Sequence, residues 1–164
     1  MTTPLLEGFA PVVDDNADLL ILGSFPSVLS LASRQYYGNP RNAFWPITAA
    51  LFGFDASAPY ETRLTALQSA GVALWDVLHK CRRIGSADAK IDMKSLVAND
   101  FGRLFAAYPS ITRVCFNGRA AERLFGRLVD VDAAVEYLLL PSTSPARAMA
   151  ADQKLRAWRA IAPS

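Results

Sequence analysis

Four apolar runs, separated by amphipathic segments, dominate the hydrophobic pattern of the chain. Residues 19–22 (LLIL) contain no polar position, which is typical of a strand buried on both faces of a parallel sheet. Similar runs follow at 72–76, 113–116 and 135–140. Because segments with helical spacing lie between these runs, the pattern predicts an α/β fold with a parallel sheet of about four strands, covered on both faces.

The helices are predicted from apolar positions three and four residues apart. Asn99 is expected to cap the predicted helix at 99–108. Residues 1–17 are predicted to lie across the sheet edge, and residues 78–97 to be mostly irregular. No repeat or linker divides the chain, so residues 1–164 are expected to form a single domain. The predicted helices are 44–52, 61–70, 99–108, 119–128 and a terminal one around Leu155, Trp158 and Ile161.

All four predicted strands end in polar or glycine-containing steps, at Gly23-Ser24, Asp76, Asn117-Gly118 and Ser142. In open α/β sheets, ligands bind at the carboxyl ends of the strands. The sequence therefore predicts one site at that edge. The loop 36–42 (YYGNPRN) adds aromatic rings, amides and a guanidinium to it.

Composition favours a globular protein, with 52% hydrophobic and 20% charged residues and a formal charge of +2. Several arginines near the predicted site could form a phosphate-binding face, or could be ordinary solvated side chains. Cys81 and Cys115 lie in separate segments, which indicates a reduced protein without an iron–sulfur cluster. The chain has no membrane-length apolar run and no signal peptide, so a cytoplasmic location is expected. The arginines near the predicted site are Arg34, Arg41, Arg82, Arg83 and Arg147.

The chain lacks the residues that several classes of chemistry require. His79 is the only histidine, and no Cys, Asp or Glu cluster has metal-ligand spacing. The GxSxG, GxxxxGK[ST] and GxGxxG patterns are absent, so neither a serine hydrolase nor a nucleotide cofactor is expected. Amides, hydroxyls, aromatics and arginines remain. Such a set can stack a flipped base, bind its edge and orient a water, which suits hydrolysis of an N-glycosidic bond.

Five stretches, taken in order, resemble the DNA-deoxyinosine (hypoxanthine-DNA) glycosylases of the uracil-DNA glycosylase superfamily. They are GSFPS (23–27), YYGNPRNAFW (36–45), GVALWDVLHKCRRIGSADAKI (71–91), FNG (116–118) and LPSTSPA (140–146). The resemblance implies a three-layer α/β/α sandwich around a four-stranded parallel sheet. It also implies a monofunctional glycosylase of base-excision repair, which releases deaminated bases from DNA, hypoxanthine first, without metal or cofactor. We expect the protein to be a monomer.

The same resemblance implies a role for Asn42. In mismatch-specific relatives, the asparagine of GINPG orients the water, and Phe25 stands at that position here. Since the phenylalanine side chain cannot hydrogen-bond water, Asn42 is expected to orient the water instead. Asn39 stands where many family members have histidine, and which of these two asparagines orients the water stays open.

The remaining site residues are predicted in two groups. Phe25 is expected against the base and Asn117 at its edge. The base pocket comprises Gly23, Ser24, Phe25, Pro26, Ser27, Tyr37, Asn39, Phe44 and Asn117, and the DNA contacts comprise Arg41, Ser142, Thr143, Ser144, Pro145 and Arg147.

Each of these residues also has a structural interpretation. Asn42 could only cap the helix after it, Asn117 could be a turn residue, the tyrosines could be core, and residues 142–145 could be a tight loop. Two alternative functions stay open as well. One is a mismatch-specific uracil or thymine glycosylase, and the other is a non-catalytic nucleic-acid-binding member of the same fold.

Overall fold

The computed structural model describes residues 3–163 and has a four-stranded sheet at its centre. Its strands are β2 (Leu19–Gly23), β3 (Val72–Asp76), β6 (Arg113–Asn117) and β7 (Glu136–Leu140). They follow the order β3-β2-β6-β7, and every neighbouring pair is parallel. Apart from Gly23 and Asp76 at their ends, β2 and β3 contain only apolar residues, and both strands are buried along their whole length. The predicted α/β fold is confirmed.

Helices cover both faces of this sheet. They are α1 (Val28–Ser33), α2 (Phe44–Phe52), α3 (Tyr60–Ser69), α4 (Phe101–Ala107), α5 (Arg119–Leu128) and α6 (Ala151–Trp158), which a 3₁₀ turn extends through Arg159–Ile161. Leu20 and Leu22 of β2 face the core under α4 and α5, and the alternate residues Leu19 and Ile21 face the core under α2, α3 and α6. This alternation produces the three layers.

A second, antiparallel sheet of three strands was not predicted. It has the order β1-β4-β5, formed by β1 (Leu5–Glu7), β4 (Leu78–Arg82) and β5 (Val97–Ala98). The prediction that 78–97 is mostly irregular was therefore wrong for β4 and β5. These strands are short, β4 carries Lys80 and Arg82, and their partners are distant in sequence, so no apolar run marks them.

Two further local expectations change. The short helix α1 was not predicted, although Ser27 caps it by accepting from the Ser30 amide. Asp100, not Asn99, caps α4, because its carboxylate accepts from the Arg103 amide. The predicted course of the amino-terminal segment along the sheet edge is confirmed at Val12, which pairs with Leu74 of the edge strand β3. Within residues 3–163, no helix is long and apolar enough to cross a membrane.

Candidate active site

A cleft opens at the carboxyl ends of the parallel strands. In the sheet register, Gly23 pairs with Asp76 and Asn117 pairs with Leu140, so the strand ends meet at one edge, as predicted. The cleft has a volume of about 260 Å³, near the lower end of the range for small-ligand pockets. Thirteen predicted site residues line it: Gly23, Ser24, Phe25, Pro26, Ser27, Tyr37, Asn39, Asn42, Asn117, Ser142, Thr143, Ser144 and Pro145.

Three predicted site residues lie elsewhere. Phe44 was expected in the base pocket, but it is fully buried and stacks beneath Tyr37, with 3.8 Å between the ring centroids. It supports the pocket wall from behind because it is the first residue of α2 and points into the core. Arg41 and Arg147 are exposed and do not line the cleft.

The two asparagines of the NPRN turn (residues 39–42) both lie in the cleft wall. Asn42 accepts the Phe44 amide through Oδ1 at 2.9 Å, so it bonds the first amide of α2, although the N-cap position itself is Ala43, which makes no side-chain cap. Asn39 accepts the Arg41 amide through Oδ1, and its carbonyl accepts the Asn42 amide, each at 2.9 Å. These contacts fix the orientation of both side chains. Capping and cleft lining are therefore compatible in Asn42, whose amide has further hydrogen-bonding capacity.

The floor of the cleft holds two buried polar atoms for which the described residues offer no hydrogen-bond partner, the Tyr37 hydroxyl and Oδ2 of Asp76. Both groups lie over Gly23. A Cβ at Gly23 would come within 2.5 Å of Oδ1 of Asp76 and within 3.5 Å of the Tyr37 hydroxyl. Only glycine leaves room for them. Tyr37 itself has a φ of 55°, a conformation that costs free energy in a residue with a side chain.

Burial governs the protonation of this pair. Desolvation raises the pKa of Asp76 to about 7, with Arg83 opposing the shift and Asp88 adding to it. Burial, reinforced by the negative charge of Asp76 and partly opposed by the nearby Asn117 amide, holds the pKa of Tyr37 well above its ordinary value. The tyrosine therefore keeps its proton and can donate, while Asp76 changes charge near neutral pH.

One wall is held by a buried arginine. Arg83 donates from Nη2 to the Pro26 carbonyl at 2.6 Å, and its guanidinium lies 5.2 Å from the centre of the Phe25 ring. Ser24 donates to Asp88 at 2.6 Å across the same wall. Arg83 is only 4% exposed, so the prediction that it could join a phosphate-binding face was wrong. Arg82 is also engaged, since its Nη1 donates to the Thr3 carbonyl.

The opposite wall is the loop 141–147, which Asn117 holds in place. Asn117 donates to Oγ1 of Thr143 and accepts the Thr143 amide, both at 2.9 Å. Thr143 was predicted to contact DNA, but its side chain is buried against Asn117, so it anchors the loop instead. Trp158 donates to the Pro141 carbonyl at 2.8 Å, and Lys154 donates to the Ser144 carbonyl at 3.0 Å. The loop is therefore fixed at three points.

Several cleft residues were missed in the sequence. Asp76 had a signal, because it ends a predicted strand at the expected edge, yet it was given no role. Ser86, Ala87 and Asp88 were hidden in the segment expected to be irregular. The other residues of this kind are Phe9, Ser30, Tyr36 and Ala146.

Comparison with known proteins places this cleft in a family context. The model of the uracil DNA glycosylase superfamily matches residues 10–162. The chain belongs to this superfamily. It is 37% identical to a hypoxanthine DNA glycosylase from Methanosarcina acetivorans over 94% of this chain and 96% of the relative. It is 40% identical to a hypoxanthine DNA glycosylase from Methanosarcina barkeri over 69% of this chain and 71% of that relative.

A solved structure agrees with the superfamily fold. The solution NMR structure of a candidate uracil DNA glycosylase from Methanosarcina acetivorans matches with a TM-score of 0.80 and 36% identity, over 96% of both chains. The resemblance predicted from the five motifs and the predicted three-layer sandwich are both confirmed. In this superfamily member, the cleft at the strand ends is therefore the candidate active site.

Proposed function

We propose that this protein is a monofunctional DNA glycosylase that hydrolyses the N-glycosidic bond of deaminated bases in DNA, with hypoxanthine preferred. The similarity to relatives named hypoxanthine DNA glycosylase supports the reaction and the base. The observation that carries the proposal in the structure is the pair of unpartnered polar atoms on the cleft floor, Tyr37 hydroxyl and Asp76 Oδ2.

This pair complements the edge that deamination creates. Hypoxanthine presents an N1–H donor beside the O6 acceptor. Asp76 can accept from N1–H while Tyr37 donates to O6. Adenine presents an acceptor at N1, which would face the ionised Asp76 carboxylate with no proton between them, so this contact would be mismatched. A buried group left without its partner costs about 1–3 kcal/mol, which is enough to discriminate against the parent base.

The bond-breaking step needs positioning more than a strong reagent. As the bond to the base breaks, its electrons move onto the base and the sugar becomes cationic at C1′. Water then adds to C1′, and the proton it loses passes through solvent to the base anion, which leaves as the neutral base. Asn42, whose orientation is fixed by the Phe44 amide, holds that water or stabilises the cation. Asn39 lies in the same turn and is the competing candidate for the water.

The first test measures single-turnover base release from duplexes that contain deoxyinosine, uracil, thymine opposite guanine, or only normal bases. We expect fastest release from deoxyinosine. Asn42→Ala should slow this release by roughly 10²-fold or more, the scale of one lost preorganised polar group, with little change in DNA affinity.

Asn16→Ala is the matched control. Asn16 also bonds the backbone through its side chain, donating from Nδ2 to the Gln68 carbonyl, but it lies by the opposite ends of the strands, so this variant should release base at the wild-type rate. Faster release of uracil or thymine would favour the mismatch-specific alternative. DNA binding without release of any base by a folded wild-type protein would favour the non-catalytic alternative. A folded Asn42→Ala variant with full activity would reduce Asn42 to a helix cap.

A further inference from the structure

The turn after β4 exposes an unusual apolar side chain. Ile84 is 72% exposed, the highest value among the large hydrophobic side chains that the structure describes as exposed. Core packing does not explain it. Val28 and Leu29, at the start of α1, are each about half exposed, and the Val28 amide donates to Oγ of Ser86 at 2.9 Å. Three exposed apolar residues therefore lie on two segments that are bonded to each other.

This turn is held rigidly. The Arg83 side chain donates from Nε to the Gly85 carbonyl at 2.6 Å, which closes the turn around Ile84. Its Nη2 ties the same turn to the Pro26 carbonyl. The Ser86 contact to Val28 holds the turn on the other side of Ile84. An apolar side chain presented on a fixed turn loses little freedom when it is buried against a partner.

The turn also stands at the rim of the cleft. Pro26 and Ser86, to which the turn is bonded, both line the cleft. A nucleotide can enter the cleft only if its strand passes over the rim, so the bases next to it come near Ile84. Extruding a nucleotide breaks its stacking and exposes the apolar faces of its neighbours. Apolar side chains that insert at such steps are a recurrent way to hold DNA in an unstacked form.

We propose that Ile84, supported on the same rim by Val28 and Leu29, is an apolar wedge that packs against the base pair beside the extruded nucleotide. The proposal rests on the proposed DNA glycosylase function. Ile84 would be a second contact between the cleft rim and the base stack, in addition to the loop 141–147 on the other side of the cleft. The partner of this wedge is a DNA base step, because the rim is continuous with the cleft that receives the nucleotide.

The experiment uses a duplex with 2′-fluoro-2′-deoxyinosine, which resists cleavage, and 2-aminopurine as the neighbouring base. Wild-type protein should raise the 2-aminopurine fluorescence, because unstacking relieves its quenching. Ile84→Ser should lose most of this increase, and Ile84→Leu should retain it. Val97→Ser is the matched control, since Val97 is an exposed apolar residue on the same three-stranded sheet and does not line the cleft.

A second readout is hypoxanthine release from cleavable substrates. Ile84→Ser should lower the ratio of duplex to single-strand release by about 10-fold, because only the duplex requires unstacking. Full fluorescence and an unchanged ratio in Ile84→Ser would overturn the wedge. An equal loss on both substrates would also overturn it, because Ile84 would then act on the fold or the pocket. If wild-type protein releases no base, the proposed function fails; the fluorescence arm still tests the wedge.

Discussion

Asp76 shows how one residue of the site weakens the fold. Its carboxyl is almost completely buried, and burial raises its pKa from 3.8 to about 7. Between those values the unfolded chain releases a proton that the folded protein keeps. Stability should therefore fall as the pH rises from about 4 to 7, by up to about 1.4 kcal/mol per pH unit, and stay level above.

Asp76→Asn should remove this dependence, because the amide does not titrate. We expect the variant to melt above the wild type at pH 8 and near it at pH 4, as measured by calorimetry at both values. The amide keeps an acceptor, so slow base release with DNA binding intact would indicate that the carboxylate itself is needed. Parallel stability curves for the two proteins between pH 4 and 7 would contradict the buried titration.

Asn117 joins the loop anchor to the cleft. Asn117→Asp should keep the loop in place, since the Thr143 hydroxyl can turn to donate to a carboxylate. The new charge would stand in a cleft that already holds Asp76, and would face the base. We expect hypoxanthine release to fall by roughly 10-fold or more, while the melting temperature changes little. Equal hypoxanthine and uracil release in both proteins would show that Asn117 does not select the base.

At the scale of elements, α6 holds the loop 141–147 in place. Lys154 and Trp158 lie one helical turn apart and donate to the carbonyls of Ser144 and Pro141. Ser144 also accepts the Arg147 amide at 3.0 Å, so the lysine holds the turn that carries the arginine. Burial and the nearby Arg147 charge lower the pKa of Lys154.

Lys154→Met tests whether the hydrogen bond from α6 to the Ser144 carbonyl holds the loop. Methionine fills similar space but cannot donate, so the loop should open locally while the core stays packed. Amide hydrogen exchange should rise in residues 141–147 and remain unchanged in β2 and β6. Arg156→Met is the control, because Arg156 is exposed on the same helix and, among residues 3–163, forms an ion pair only with Asp152, at 3.9 Å. Unchanged exchange in the loop would show that Asn117 and Trp158 suffice.

The elements also show which parts of the fold can be predicted from sequence. β2 and β3 were predictable because burial on both faces demands an unbroken apolar run. The three-stranded sheet was not, because the buried positions of β4 follow no regular period and one of its partners, β1, lies at the far amino-terminal end of the described chain. Six-residue α1 is too short for its apolar spacing to stand out.

At the scale of the molecule, the site was predictable as a place more than as a set of contacts. Parallel strands bring their carboxyl ends to one edge, so polar strand ends located the cleft. The orientation of single side chains depends on packing between distant segments. Phe44 faces the core, Thr143 bonds Asn117 and Arg83 is buried, and no local pattern distinguishes these outcomes from their exposed alternatives.

The burial of Arg83 changes how the whole surface can meet DNA. With that arginine buried, Arg147 is an exposed cation directly after Ala146, which lines the cleft, on a loop fixed by Asn117 and α6. A cation there can bind a phosphate or occupy the space that the flipped base leaves. The second role matters only when a base must leave a stack.

Arg147→Ala should therefore slow hypoxanthine release most from a well-paired duplex, less from a mismatched duplex and least from a single strand, because extrusion costs least where pairing is weak. If Arg147 also binds a phosphate, the slope of log affinity against log salt should become shallower by about 0.9. Arg159→Ala, on the 3₁₀ turn after α6, controls for the loss of charge alone. An equal loss of release on all three substrates would mean that Arg147 acts in the cleft or on folding, and not on the base stack.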